Sequence, residues 1–251
     1  MSMRILFVSL VLCGWLAGPS LAQNALSPAE ILQRAVAAAG GDTWQKPKTL
    51  TLQGEADFYP YGKTTGHLHL DGYAMSRVYP TENDEAHKAN GKVRFDATWG
   101  DSVFFRLAFN GKSPQTFLAE RAKPYEKHFS LSNNFGFGII RFANAPGFLL
   151  ERLADDEVEG HACYFLQIMD PKQNVTVFGI DQRKFYIRMV AFHTEVGHHH
   201  RVYSDFKKAK QVNFLQPTRV RLYFEGVKWM DIRWRRFAVN QPIADEVFVV
   251  K

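Results

Sequence analysis

The chain has 251 residues, with 31 Lys and Arg against 25 Asp and Glu, a formal charge of +6 that is spread along its length rather than gathered in blocks. That pattern excludes the clustered basic face of a nucleic-acid-binding module, so no nucleic-acid partner is expected. Two cysteines in the whole chain exclude a disulfide-stapled scaffold, and 46% hydrophobic residues leave enough apolar side chain for a core of its own.

The first segment, residues 1–22, has the three parts of a cleavable export signal. Arg4 supplies the positive end, Ile5 to Leu12 a short apolar core, and Ser20-Leu21-Ala22 small residues before a cut at Gln23. The apolar run is short for a membrane span. Cys13 lies inside that run behind Leu12, a poor context for lipid attachment, and leaves with the signal. Cleavage takes away Arg4 and no acid, so the charge falls from +6 to +5. The expected product is a soluble periplasmic protein, residues 23–251, whose one cysteine, Cys163, sits in an apolar strand as a small buried hydrophobe.

Ser27-Pro28-Ala29-Glu30 predicts a capped helix start, with Ile31, Leu32, Ala35, Val36 and Ala39 at helical spacing and Gly40-Gly41 as the stop. Strands follow. Leu50, Leu52, Gly54, Ala56 and Phe58 alternate with polar residues, as do Leu68 and Leu70, Val93 to Trp99, and Val103 to Phe109. Tyr61-Gly62-Lys63, Asp71-Gly72, Asn90-Gly91, Gly100-Asp101 and Asn110-Gly111 read as the turns between them. Residues 113–158 break the rhythm with an irregular but apolar insertion, in which Pro146 opens an expected short helix. Strands resume at 161–169, 174–181, 185–193, 199–207, 213–225, 229–239 and 246–250.

Several turn motifs occur in a telling order. Val158-Glu159-Gly160 leads a strand, Asp170-Pro171-Lys172 turns it, and Gly179-Ile180-Asp181 closes the return. Tyr203-Ser204-Asp205-Phe206, Phe214-Leu215-Gln216-Pro217-Thr218 and the ending Asn240-Gln241-Pro242-Ile243…Phe248 follow. With the short Ala-rich helix ending Gly40-Gly41 and Trp44 after it, this order resembles the LolA/LolB superfamily of periplasmic lipoprotein carriers over most of residues 23–251. The resemblance implies an α+β, mainly β fold: an incomplete antiparallel β-barrel of about eleven strands, with an N-terminal helix and a helical or irregular lid. The insertion at 113–158 does not align with the carriers' lid helices, so no carrier residue is mapped onto it.

Phenylalanine is abundant, 21 in the chain, and crowds into one stretch. Phe105, Phe109, Phe135, Phe137, Ile139, Ile140, Phe142 and Phe148 are the expected lining of an apolar cavity and its lid, with Gly136 and Gly138 letting the backbone approach a ligand. The expected ligand is a lipid or the acyl chains of an acylated protein, with transient contact to a membrane surface or an envelope protein. Two other readings are an envelope-assembly partner whose barrel is filled by its own side chains, and a metal-dependent hydrolase using His198 to His200. The histidines are expected in a solvated hairpin tip and Asp155-Asp156-Glu157 in an acidic turn. Arg219, Arg221, Arg233 and Arg235 read as the polar face of a half-buried sheet, paired with Asp231 and Glu225. Gly-x-Ser-x-Gly, His-Glu-x-x-His, P-loop and dinucleotide fingerprints do not occur. No catalytic residue, metal or cofactor is expected.

Overall fold

The computed structural model describes residues 26–62, 67–129 and 136–250. The export signal and Phe135 lie outside them. Helix α1 (Pro28–Ala39) begins with the expected capping box: the Ser27 hydroxyl accepts from Glu30 N–H, and the Glu30 carboxylate accepts from Ser27 N–H at 2.8 Å. Those bonds hold the Glu30 carboxyl below its usual range. The helix buries Ile31, Leu32, Ala35 and Ala39. Gly40 ends it with φ +135°, and a Cβ there would lie 2.2 Å from the Asn213 carbonyl oxygen, so the chain passes too close for any side chain. A single turn, α2 (Asp42–Gln45), then places Trp44 in the core.

The strands are β1 (Thr49–Phe58), β2 (Leu68–Val78), β3 (Lys92–Trp99), β4 (Ser102–Phe109), β5 (Pro114–Leu118), β6 (Leu149–Arg152), β7 (Asp156–Val158), β8 (His161–Met169), β9 (Val175–Asp181), β10 (Ile187–Thr194), β11 (Gly197–Lys208), β12 (Leu215–Phe224) and β13 (Val227–Val239). They form one antiparallel sheet in the order β5-β4-β3-β2-β1-β13-β12-β11-β10-β9-β8-β6, with β7 also on β8. Two meanders therefore meet where the last strand pairs with the first, from Leu50 opposite Val239 to Phe58 opposite Met230. The edges β5 and β6 are not joined, so the sheet is the incomplete barrel that was expected. Residues 119–129 and 136–148 lie in the chain between those edge strands. Alternation puts Leu50, Leu52, Ala56, Tyr73, Met75, Phe95, Tyr203, Val220, Leu222, Ile232 and Trp234 on the concave face, in one core with α1 and α2. A smaller cluster of Val158, Cys163 and Val202 lies on the convex side.

Four local expectations are corrected. Asp71-Gly72 is not a hairpin turn but lies inside β2, where the register slips by one residue between Leu70 and Tyr73, a β-bulge. The segment after Pro146 is strand β6 rather than a helix, because β8 offers it a free edge, Leu149 opposite Met169. Residues 246–250 form no strand; Asp245–Phe248 is a 3-10 turn that buries Phe248. β13 has already reached the start of β1, so the backbone beyond Val239 has no ladder to extend. His198 to His200 lie within β11, and the turn itself is Glu195-Val196.

Candidate functional site

The two ends of the concave face are built differently. At one end the protein fills its own hollow. The 3-10 turn Lys123–Phe129 drives Tyr125 and Phe129 into the sheet, against Phe58, Phe104, Phe105 and Trp229. Phe58 and Trp229 meet edge to face at 4.6 Å, and Phe105 and Phe129 at 4.7 Å. Only about 20 Å³ of void is left beside this plug.

At the other end a cavity of about 120 Å³ remains. Its walls are Leu50 and Leu52 of β1, Tyr73, Met75 and Arg77 of β2, Phe95 of β3, Val220 and Leu222 of β12, and Ile232 and Trp234 of β13. Trp44 and the 3-10 turn Gly136–Arg141 cover it. Phe137 reaches from that turn to Trp44 at 6.2 Å, to Tyr203 at 5.3 Å and to Phe178 at 6.2 Å. The turn comes this close because Gly136 has no side chain: a Cβ would lie 2.3 Å from the Phe192 ring. Gly138 has no such constraint, with its nearest neighbour, an Arg77 nitrogen, 4.0 Å from where a Cβ would lie.

Three arginines line this otherwise apolar space: Arg77, Arg141 and Arg201. Arg141 Nε donates to the Trp44 carbonyl at 2.9 Å, and its guanidinium lies over Trp44, Tyr79 and Phe137, 4.4, 5.0 and 5.5 Å from the ring centroids. Arg77 lies over the Tyr79 ring at 5.1 Å. Arg201 Nε donates to His199 Nε2 at 2.8 Å. A histidine that accepts at Nε2 is neutral and carries its proton on Nδ1. Burial, and then the Arg201 charge, push His199 down to about 2. Burial, with added repulsion from Arg141 and Arg201, lowers the Arg77 guanidinium to about 10, still charged at neutral pH. Burial lowers Arg141 too. Among the described residues, no Asp or Glu lines the cavity.

The expected lining residues are dispersed along the hollow. Phe137 lines the main cavity. Phe105 belongs to the plug and borders the small void, and Phe142 borders another of about 10 Å³ with Tyr79 and Arg141. Ile139 and Ile140 belong to the covering turn and are buried in the core, while Phe109 and Phe148 are half-buried against that core. The three arginines were not singled out in the sequence, although a signal was there. Arg77 follows Tyr73 and Met75, and Arg201 lies between His199 and Tyr203, each in the inward phase of its strand.

The convex face answers the remaining candidates. Arg219 meets Asp231 through two bonds of 3.0 and 2.8 Å, Arg233 meets Asp57 at 2.8 Å, Arg235 meets Glu55, and Arg221 meets Glu159 at 2.7 Å. The Asp231 pairing is the one expected; Glu225 instead accepts from His198 N–H. His198 and His200 point outward, and His199 points inward. Among the described residues, no group of three or more His, Cys, Asp or Glu is placed to hold a metal ion. Asp155 is paired with Arg152, and Asp156 and Glu157 lie in β7 rather than in a turn. Cys163 is buried, and burial raises its thiol to about 11, the behaviour of a packed hydrophobe. Among the described residues, no helix is long and apolar enough to cross a membrane.

No protein-family model matches the chain, and no curated protein matches it in sequence. Solved structures do match. A domain named for outer membrane lipoprotein sorting, from Vibrio parahaemolyticus, superposes with a TM-score of 0.51 at 10% identity, over 87% of this chain and 94% of that one. A DUF1329 family protein from Desulfovibrio piger superposes with a TM-score of 0.52 at 12% identity, over 89% of this chain and 98% of that one. The chain thus shares its fold with these two proteins.

Proposed function

We propose that the protein is a non-catalytic, exported binding protein that shelters a lipid, or the acyl chain of an acylated partner, in the open end of its half-barrel. The observation that supports this most is the covered apolar cavity at one end of the concave face, left unfilled while the opposite end is plugged with aromatics. The fold shared with a domain named for lipoprotein sorting supports the same reading. Export rests on residues 1–22, and 23–251 act as one unit in this proposal.

The size of the cavity sets the mechanism. An engineered cavity of about 150 Å³ takes up benzene, so 120 Å³ admits a small apolar group or one end of a chain. A longer chain enters by displacing Phe137 and the turn that carries it. Each further methylene then contributes about 0.8 kcal/mol. Lipid extraction and native mass spectrometry of the purified mature protein, together with uptake of a fluorescent fatty acid, test the proposal. The expected result is co-purified lipid and saturable uptake. A ligand-free protein with no uptake overturns it and favours the assembly-partner reading, for which the aromatic plug is the supporting observation.

A further inference from the structure

The apolar cavity carries more positive charge than a site for hydrocarbon alone requires. Arg77 comes from β2 and Arg201 from β11, with β1, β13 and β12 between them in the sheet. Curling brings both to one cavity, and Arg141 joins them from the covering turn. Placing three guanidinium groups in a space walled by Leu50, Leu52, Phe95 and Trp234 is costly, because each loses hydration and repels the others. Burial first, and then the charges of Arg141 and Arg201, lower the Arg77 guanidinium. The Trp44 carbonyl and aromatic rings orient Arg141, and the unprotonated Nε2 of His199 accepts from Arg201. Among the described residues, no carboxylate lines the space these arginines share. Tyr79, Tyr203 and Gln216 add further polar groups to the same wall.

We infer that the ligand is an anionic amphiphile, whose carboxylate or phosphate head is bound among Arg77, Arg141 and Arg201 while its tail lies along the apolar wall. Guanidinium forks match both oxyanions in shape, and the bonds are charge-assisted. The tail has a direction to follow. Tyr73, Phe95 and Leu222 border both the main cavity and the small void beside the plug, so the apolar wall continues inward from the arginines.

This inference rests on the amphiphile reading, and its test separates the two. Calorimetric titration of delipidated mature protein with decanoate, decyl phosphate and decanol compares three heads on one tail. The wild type is expected to bind at least one of the two anions about tenfold or more tightly than decanol. Preference for decanoate identifies a fatty-acid head, and preference for decyl phosphate a phospholipid head. Arg77→Met and Arg201→Met are each expected to reduce that preference by about tenfold. Equal affinity of the wild type for all three overturns the anionic head and leaves the apolar site standing. Binding of none overturns both. The wild-type comparison decides the matter even if a variant folds poorly.

Discussion

Arginines on the two faces of this sheet live in opposite environments. On the convex face Arg219, Arg221, Arg233 and Arg235 each meet a carboxylate from a neighbouring strand or loop. On the concave face Arg77, Arg141 and Arg201 meet rings, a backbone carbonyl and a neutral histidine. The same residue type in the same sheet is thus neutralised on one side and concentrated on the other. The contrast teaches that the outer set is bound into the sheet by carboxylates, whereas the inner set gathers around one cavity that no described carboxylate lines.

The largest effect should come from breaking the outer set. Asp231 is 1% exposed, accepts both bonds from Arg219 and lies within 4.0 Å of Arg233 and Lys228. Asp231→Asn leaves those cations around a neutral amide. The partners are about one-third exposed, which places the cost below that of a wholly buried pair, at about 2–3 kcal/mol. Thermal unfolding should show this as a lowered Tm with ligand binding unchanged. A Tm within experimental error of the wild type would remove the structural role assigned to the convex network.

A smaller effect separates the faces by pH. His199 is held neutral inside, far below its unfolded value of 6.5, and burial lowers His87 and His128 as well. Below pH 6.5 the unfolded chain binds protons that the native state refuses. Stability is therefore complete above 6.5 and declines as pH falls through it. Asp57, Asp181 and Asp231 are held below the usual carboxylate range, although burial opposes this, because Arg233, the Lys184 amide with Arg188, and Arg219 respectively stabilise their charge. Their contribution persists above about pH 4 and is lost only below it. Tm measured from pH 8 to pH 3 should fall in two stages. His199→Gln retains an acceptor for Arg201 and does not titrate, so it should shrink the upper stage to the share of the other lowered histidines and leave the lower one. A single decline confined to the acid end would contradict this assignment of the inner histidines.

Much of this arrangement could be read in the chain before folding. The capping box at Ser27 and Glu30, the alternation of β1, β3 and β4, and the Asp170 and Asp181 turns depend on neighbours in sequence, and all are where local pattern places them. What escaped depends on distant partners. Leu149 to Arg152 become a strand because β8 has an edge to offer, and Asp71-Gly72 becomes a bulge because β1 is paired on both sides. The cavity escaped for the same reason. The crowd of phenylalanines is real, yet which of them fill the hollow and which border it follows from where the turns Lys123–Phe129 and Gly136–Arg141 meet the sheet. Arg77 and Arg201 stand in apolar phase, but only the curl of the sheet brings β2 and β11 to one space.

The smallest effect is the most discriminating, because its sign differs between the faces. Arg77→Met removes a charge from a wall that Arg141 and Arg201 already make positive and replaces it with an apolar chain of similar length. The ligand-free protein should gain about 1 kcal/mol, a rise of roughly 2–4 °C in Tm, while losing affinity for anions. A gain in stability coupled to a loss of binding is expected of a residue whose placement the fold opposes and the ligand rewards. A fall in Tm comparable to that of Asp231→Asn would instead put Arg77 with the outer arginines, and the distinction between the two faces would fail at that residue.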